Sequence, residues 1–359
     1  MSIEKIPSKM KAWQFSSTSP SMQACMHLNE SVPLPPTAKN LEPDTILIKV
    51  IAAGLSPLDC RFAEIPLLGR FITGRPSTPG MDFAGRVVAS GPNTGKYVDA
   101  DENLNPGQLV FGRLDGPSKY GTLADYTVAR RNGCVALPKG VSPIDAVCAT
   151  SVGVTAYWCI VHRLKSPEGK RVFINGGSGG TGTFGIQIAK AMGCHVTVSC
   201  SSADVEFCKD LGADVVIDYT NADLKAELRG KERFDLFIDN VGNPTEFSWL
   251  APAYTNPGAH YIQVGPQAVT PMYILERNLK GCWPSWLGGG NGSYGLMYVD
   301  NNVEDYKQIG QWLEEGTIRA VVDEVVGFEG NEPVLAYEKL RTGEARGEIV
   351  VLVDDEWEE

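Results

Sequence analysis

Gly177, Gly179 and Gly182 stand as G-x-G-x-x-G inside the run NGGSGGTGTFGIQIAKAMG. The motif follows RVFIN, an apolar run of strand length, and opens TFGIQIAKAM, whose apolar residues recur at helical spacing and which Gly193 ends. In that context each glycine has a physical role: a tight turn at Gly177, close approach of backbone to a pyrophosphate at Gly179, and close helix–strand packing at Gly182. Ser178, Gly180 and Thr181 complete the loop. A helix starting there offers unpaired N–H groups and the positive end of its dipole to phosphate. The chemistry expected is dinucleotide binding.

The next strand, HVTVSC, ends in SSAD. An acidic residue about 20 positions beyond the first glycine would hold the 2′-hydroxyl of NAD. Here Ser199, Ser201 and Ser202 offer hydroxyls suited to a 2′-phosphate, so the expected cofactor is NADPH. Two features oppose this: Asp204 is close in sequence, and the stretch has no Lys or Arg. The serines also have a second reading, as caps of the following helix.

Other chemistries find less support. The four histidines (27, 162, 195 and 260) have no ligand-like spacing, so no metal is expected. Nine cysteines are scattered without a CxxC, which suits reduced thiols and a cytoplasmic location. The formal charge of −11 and the lack of a Lys/Arg cluster argue against nucleic acid as a partner. No apolar run approaches the ~20 residues of a membrane span, and the N-terminus has the features of neither a signal nor a transit peptide.

These residues must be held by elements of two textures. Residues 1–140 are rich in Pro, Gly and Val/Ile runs such as TILIKVIAAG, and read as β; the last 50 or so residues read the same way. Between them strands alternate with helices, the pattern of a parallel sheet covered by helices on both faces. The expected fold class is therefore α/β, with a Rossmann-type doubly wound unit at 141–300 and a β-rich unit at 1–140 plus 301–359. Ser142 and Pro143 open the first helix of the alternating part.

The ordered set PGMDFAGRVVASG, GTLADY, TSVGVTAYW, the glycine run, LGADVVIDY, DNVGNP and IQVG is similar to the medium-chain dehydrogenase/reductase superfamily. Within it, the set resembles the zinc-free quinone oxidoreductase and enoyl reductase branch, from about residue 10 to the C-terminus. The resemblance implies that the β-rich unit is GroES-like and catalytic. Zinc-dependent members carry a Cys after the AAG strand and a His-Glu pair after the PG turn. Here Ser56, Met81 and Asp82 stand at those places, and residues 86–120 contain no cysteine for a structural zinc lobe. The resemblance sets the nicotinamide against Thr155, with Asn240, Gly242, Val264 and Gly265 lining it and the ribose, and Gly180 and Thr181 turned to the pyrophosphate. Tyr219 would lie over the adenosine ribose-phosphate, or fill a gap at the sheet edge. Ser56 and Asp59 fall in the segment beside the nicotinamide, where relatives have Asn for Ser56; Asp59 reads equally as a group at the reacting centre or as a cap that holds the turn. No Tyr occurs between Arg61 and Gly80, so a tyrosine-assisted step is not expected. Leu68, Phe71, Trp283 and Trp286 would wall a substrate pocket or bury at a dimer contact.

The implied function is hydride transfer from NADPH to an activated C=C bond or a quinone, without zinc. A trans-acting enoyl reductase of a polyketide-type pathway is the close variant. An NADPH-binding structural protein like the zeta-crystallins is the alternative from another class. The implied partner is a small molecule (enone, quinone or enoyl thioester), with the chain a monomer or homodimer.

Overall fold

The Val- and Ile-rich runs form strands because their branched side chains pack on a pleated surface. The structure is a computed structural model and describes residues 6–97, 104–242, 246–264 and 299–357. It divides into two compact units, residues 1–151 with 300–359 and residues 152–299.

The first unit opens with the antiparallel pair β1 (Lys9–Gln14) and β2 (His27–Pro33). There follow β3 (Thr45–Gly54), helices α1 (Pro57–Ala63) and α2 (Leu68–Thr73), strands β4 (Asp82–Ser90), β5 (Leu109–Arg113), β6 (Tyr126–Arg130) and β7 (Cys134–Ala136), and helix α3 (Pro143–Cys148). Strands β3, β4, β5 and β7 pair antiparallel in that order, and β6 pairs with β3. Ile46, Ile48, Val50, Phe83 and Val110 from these strands are buried in one core. At Gly85 the strands approach so closely that a Cβ would lie 2.3 Å from the Lys49 carbonyl oxygen. The Ser142 side chain caps α3 by accepting from the Asp145 N–H (3.0 Å), with Pro143 in the first turn. Because α3 packs on β3 and β4, the first unit runs to Ser151, beyond the change of texture at 140.

The helix continues through one π-turn at Ala149–Gly153 into α4 (Val154–Ile160) of the second unit. Pro143–Ile160 is apolar enough over 18 residues to match a membrane span by length and hydropathy, but 72% of it is buried inside the protein. Its apolar character is that of a core helix. The chain then alternates: β8 (Arg171–Asn175), α5 (Gly180–Ala191), β9 (His195–Cys200), α6 (Val205–Asp210), β10 (Val215–Asp218), α7 (Leu224–Arg229), β11 (Phe234–Asp239), α8 (Glu246–Tyr254) and β12 (Thr255–Gln263). All five strands are parallel in the order β10-β9-β8-β11-β12, the doubly wound arrangement with its switch point between β8 and β11. The interiors of β8 and β9 are wholly buried, as strands covered on both faces must be. Phe173, Phe237, Phe247 and Tyr261 pack as an aromatic core, with the Phe173 and Phe237 rings 4.6 Å apart.

The chain returns to the first unit as α9 (Val303–Glu314), β13 (Val322–Gly327), α10 (Glu332–Thr342) and β14 (Glu348–Leu352). Strand β14 pairs antiparallel with β3 and parallel with β13, so the last segment contributes a βαβ unit to the mixed sheet. The sequence expectation of a β-rich end omits α10, which Pro333 opens and Gly343 closes in the left-handed conformation (φ 75°).

Candidate active site

In the second unit β8 ends at Asn175, and Gly176 turns the chain with φ 80°, a conformation that side chains disfavour. A Cβ on Gly177 would press on Val198 at 3.0 Å and on Cys208 Sγ at 3.3 Å. A Cβ on Gly182 would lie 2.1 Å from the Gly176 carbonyl oxygen, so a bare α-carbon is what lets α5 start this close to the turn. Gly179 differs: nothing lies within 4 Å of its added Cβ. It is the N-cap of α5, a twelve-residue helix with no side-chain cap. The amides of Gly180, Thr181 and Gly182 therefore have no acceptor within the helix, while Thr183 N–H donates to Gly179 O (2.9 Å). Ser178 is half-buried in the loop.

Two orphaned polar atoms lie at the same ends of the sheet. Asn240, whose Nδ2 donates to Gly176 O (3.4 Å), leaves its buried Oδ1 without a partner, and so does Gln263 with Nε2 at the end of β12. Buried polar groups are nearly always paired, so an open acceptor and an open donor at strand ends of the sheet that carries the free helix amides suit a polar, phosphate-bearing ligand. A nicotinamide dinucleotide fits this set. Gly242 is buried with φ 66°, and Val264 N–H donates to Asp239 O (2.8 Å). Thr155 is half-buried in the first turn of α4. Gly265, Trp283 and Trp286 lie outside the described residues.

The serine set is corrected in part. Ser199 is fully buried inside β9; its hydroxyl donates to Asn175 Oδ1 (2.6 Å) and accepts from Gly176 N–H (3.3 Å). It supports the glycine turn from beneath and offers nothing to a 2′-phosphate. Ser201 donates to Asp204 (3.0 Å) and Ser202 to Asp218 (2.6 Å). The hydrogen bond from Ser202 holds the Asp218 carboxyl below its ordinary range, with the Thr220 backbone and Asn221 adding to it. Tyr219 is 52% exposed just past β10. Asn175, Asp239 and Gln263 were missed because each ends a strand, where polar residues are common. The signal was that three strands end in a residue able to bond sideways.

In the first unit Ser56 and Asp59 close a capping box on α1: Ser56 Oγ accepts from Leu58 N–H (3.2 Å), and Asp59 Oδ2 accepts from Ser56 N–H (3.0 Å). Tyr337 on α10 donates to the same Asp59 oxygen (2.9 Å). Of the two readings of Asp59, the structure supplies the cap. Burial pushes its carboxyl up to about 7, aided by the charge of Asp82 and opposed by the Ser56 and Tyr337 hydrogen bonds. Asp82 Oδ1 accepts from the hydroxyl (2.6 Å) and N–H (3.1 Å) of Ser151, and burial raises its carboxyl too. Ser56 is thus committed to a cap, Met81 carries a thioether and Asp82 is bound to Ser151. Among the described residues no group of three or more His, Cys, Asp or Glu is placed to hold a metal ion. Leu68 and Phe71 on α2 are 52% and 83% exposed.

Residues 42–139 match the alcohol dehydrogenase GroES-like domain, and residues 211–351 match the family described as zinc-binding dehydrogenase. The chain is 61% identical over 354 residues to the trans-enoyl reductase pgmF of Aspergillus terreus, covering 99% of each. It is 30% identical to 2-methylene-furan-3-one reductase of Solanum lycopersicum, covering 96% of this chain and 80% of that one. Among solved structures, the quinone oxidoreductase from Coxiella burnetii superposes with a TM-score of 0.78 at 26% identity, covering 96% of this chain and 100% of that one. The Coxiella structure shares the fold of this chain, whose glycine loop lies on a doubly wound sheet and whose residues at the zinc positions are Ser56, Met81 and Asp82. The chain is an oxidoreductase that belongs to the medium-chain dehydrogenase/reductase superfamily, in its zinc-free quinone oxidoreductase and enoyl reductase-like branch.

Proposed function

We propose that the protein is an NADPH-dependent enoyl reductase that saturates the C=C bond of an α,β-unsaturated thioester or ketone without zinc. The observation that carries this reading is the 61% identity to a trans-enoyl reductase along 99% of both chains. The tomato relative supports the same reaction class, since its named substrate is an enone.

When bound, the dihydronicotinamide supplies a hydride to the β-carbon of such a substrate. The chain's residues hold and orient. The amides of Gly180, Thr181 and Gly182 take the pyrophosphate, the open space at Gly179 lets it approach the backbone, and Asn240 Oδ1 and Gln263 Nε2 pair with polar groups of the nicotinamide half. Thr155, Val264 and Gly242 complete that lining. In the first unit the Ser56–Asp59 cap and the Tyr337 bond fix the chain after β3, so this segment contributes position rather than an acid or base. The enolate left by hydride addition takes its α-proton from solvent.

NADPH is favoured over NADH by Ser201 and Ser202 after β9. Both hydroxyls now face Asp204 and Asp218, and must turn to meet a 2′-phosphate. Titration with both dinucleotides tests this: NADPH is expected to bind at least about tenfold more tightly, a difference of ~1.4 kcal/mol, and equal affinity overturns the preference. NADPH consumption against enoyl thioesters, enones and quinones tests the reaction. Turnover with quinones alone would overturn the enoyl assignment.

A further inference from the structure

Asp239 is a carboxylate with 0% exposure at the end of β11, beside the switch point of the parallel sheet. Its Oδ1 accepts from Asn175 Nδ2 (2.8 Å) and from the backbone N–H groups of Val241 (3.2 Å) and Gly242 (3.1 Å). Its Oδ2 accepts from the Tyr261 hydroxyl (2.8 Å) on β12. Since Asn175 gives its amide N–H to the carboxylate, its Oδ1 takes the Ser199 proton, and Ser199 Oγ then accepts from Gly176 N–H. One carboxylate therefore ties together the glycine turn after β8, the Asn240–Gly242 turn after β11, and strands β9 and β12.

All four partners of Asp239 are donors and none is a cation. Among the described residues the Asp239 carboxylate forms no ion pair that would cancel its charge. Holding the turns alone would be served as well by a neutral amide, without the cost of burying a charge. The oxidised and reduced forms of a nicotinamide dinucleotide differ by one positive charge on the ring, and a fixed anion in a buried setting discriminates between them.

We propose that Asp239 is a positioning residue for both cofactor turns and that its buried negative charge biases the site toward the oxidised cofactor, favouring hydride release. This rests on the reading of the protein as a nicotinamide-dependent reductase. Asp239→Asn isolates the charge: the amide oxygen can accept the three Oδ1 bonds, and the amide nitrogen can donate to Tyr261, whose hydroxyl turns to accept.

The test is direct binding of NADPH and NADP+, with NADH and NAD+ alongside, to the full-length wild type, D239N and Y261F by calorimetric titration. In D239N the ratio of the NADP+ to the NADPH dissociation constant is expected to rise by about fivefold. Y261F, which removes a bond and keeps the charge, is expected to weaken both forms alike and leave the ratio unchanged. A ratio in D239N within about twofold of wild type, or a shift in Y261F as large as that in D239N, overturns the charge assignment while the reductase reading stands. A wild type that binds none of the four dinucleotides overturns the reductase reading itself. If D239N does not accumulate folded, Val241→Asp, at a position 40% exposed on the same turn, supplies a charge instead. Its ratio is expected to fall, and an unchanged ratio overturns the proposal.

Discussion

Glycines of one motif do different things at the residue scale. Gly182 is required by packing, because a methyl group there would meet the Gly176 carbonyl at 2.1 Å, whereas Gly179 faces open space. Gly182→Ala is expected to cost ~1–3 kcal/mol of stability through overpacking. Gly179→Ala is expected to cost under about 1 kcal/mol and still weaken NADPH binding at least about tenfold, by ~1.4 kcal/mol. Urea unfolding and cofactor titration of the two variants check the contrast, and equal stability losses would contradict it. The motif was legible in the sequence because its chemistry is local. Asp239 was not, since its importance depends on Asn175, Ser199 and Tyr261 arriving from three other strands. The serines misled in part for the same reason: a strand interior hides Ser199, and the carboxylates that engage Ser201 and Ser202 are visible only in three dimensions.

At the scale of elements, α1 is held by the Ser56–Asp59 box and braced by Tyr337 from α10. Because burial raises the Asp59 carboxyl from 3.8 to about 7, the folded chain binds more protons than the unfolded chain across that window. This contribution to stability is therefore greatest at low pH and is lost as pH rises through about 7. Asp59→Asn keeps the acceptor for Ser56 and Tyr337 and removes the titration. Its stability relative to wild type is expected to improve as pH climbs through the window, as urea midpoints measured at successive pH values will show; a difference independent of pH would contradict the assignment. In the second unit Phe237 touches Phe173, Phe247 and Tyr261, and Phe237→Ala is expected to destabilise by ~3–5 kcal/mol, read by thermal unfolding. In the alternating half the five strands and helices α3 to α6 were legible from their periods of two and 3.6 residues, whereas α7 and α8 were not. Helix α10 was not, because its short apolar pattern lies between two Val-rich runs that read as one β segment.

At the scale of the molecule, the order of motifs along the chain identifies the branch, while the boundary between units depends on where α3 packs. Composition alone could not place that boundary, since it falls inside one apolar helical run, Pro143–Ile160. Cofactor binding is expected to stabilise the dinucleotide-binding unit by ~2.7 kcal/mol at a hundredfold excess over the dissociation constant. Hydrogen exchange should report this as added protection in β8 to β12. Protection gained only in the strands of the first unit would contradict the assignment of the glycine loop. The central claim, conjugate reduction by hydride transfer, is tested most directly by supplying NADPH deuterated at C4 on the transferred face with an α,β-unsaturated thioester and locating the label in the product. The account predicts one deuterium at the β-carbon and hydrogen from solvent at the α-carbon; a saturated product without label at the β-carbon, or label at the former carbonyl carbon of an aldehyde or alcohol, would contradict it.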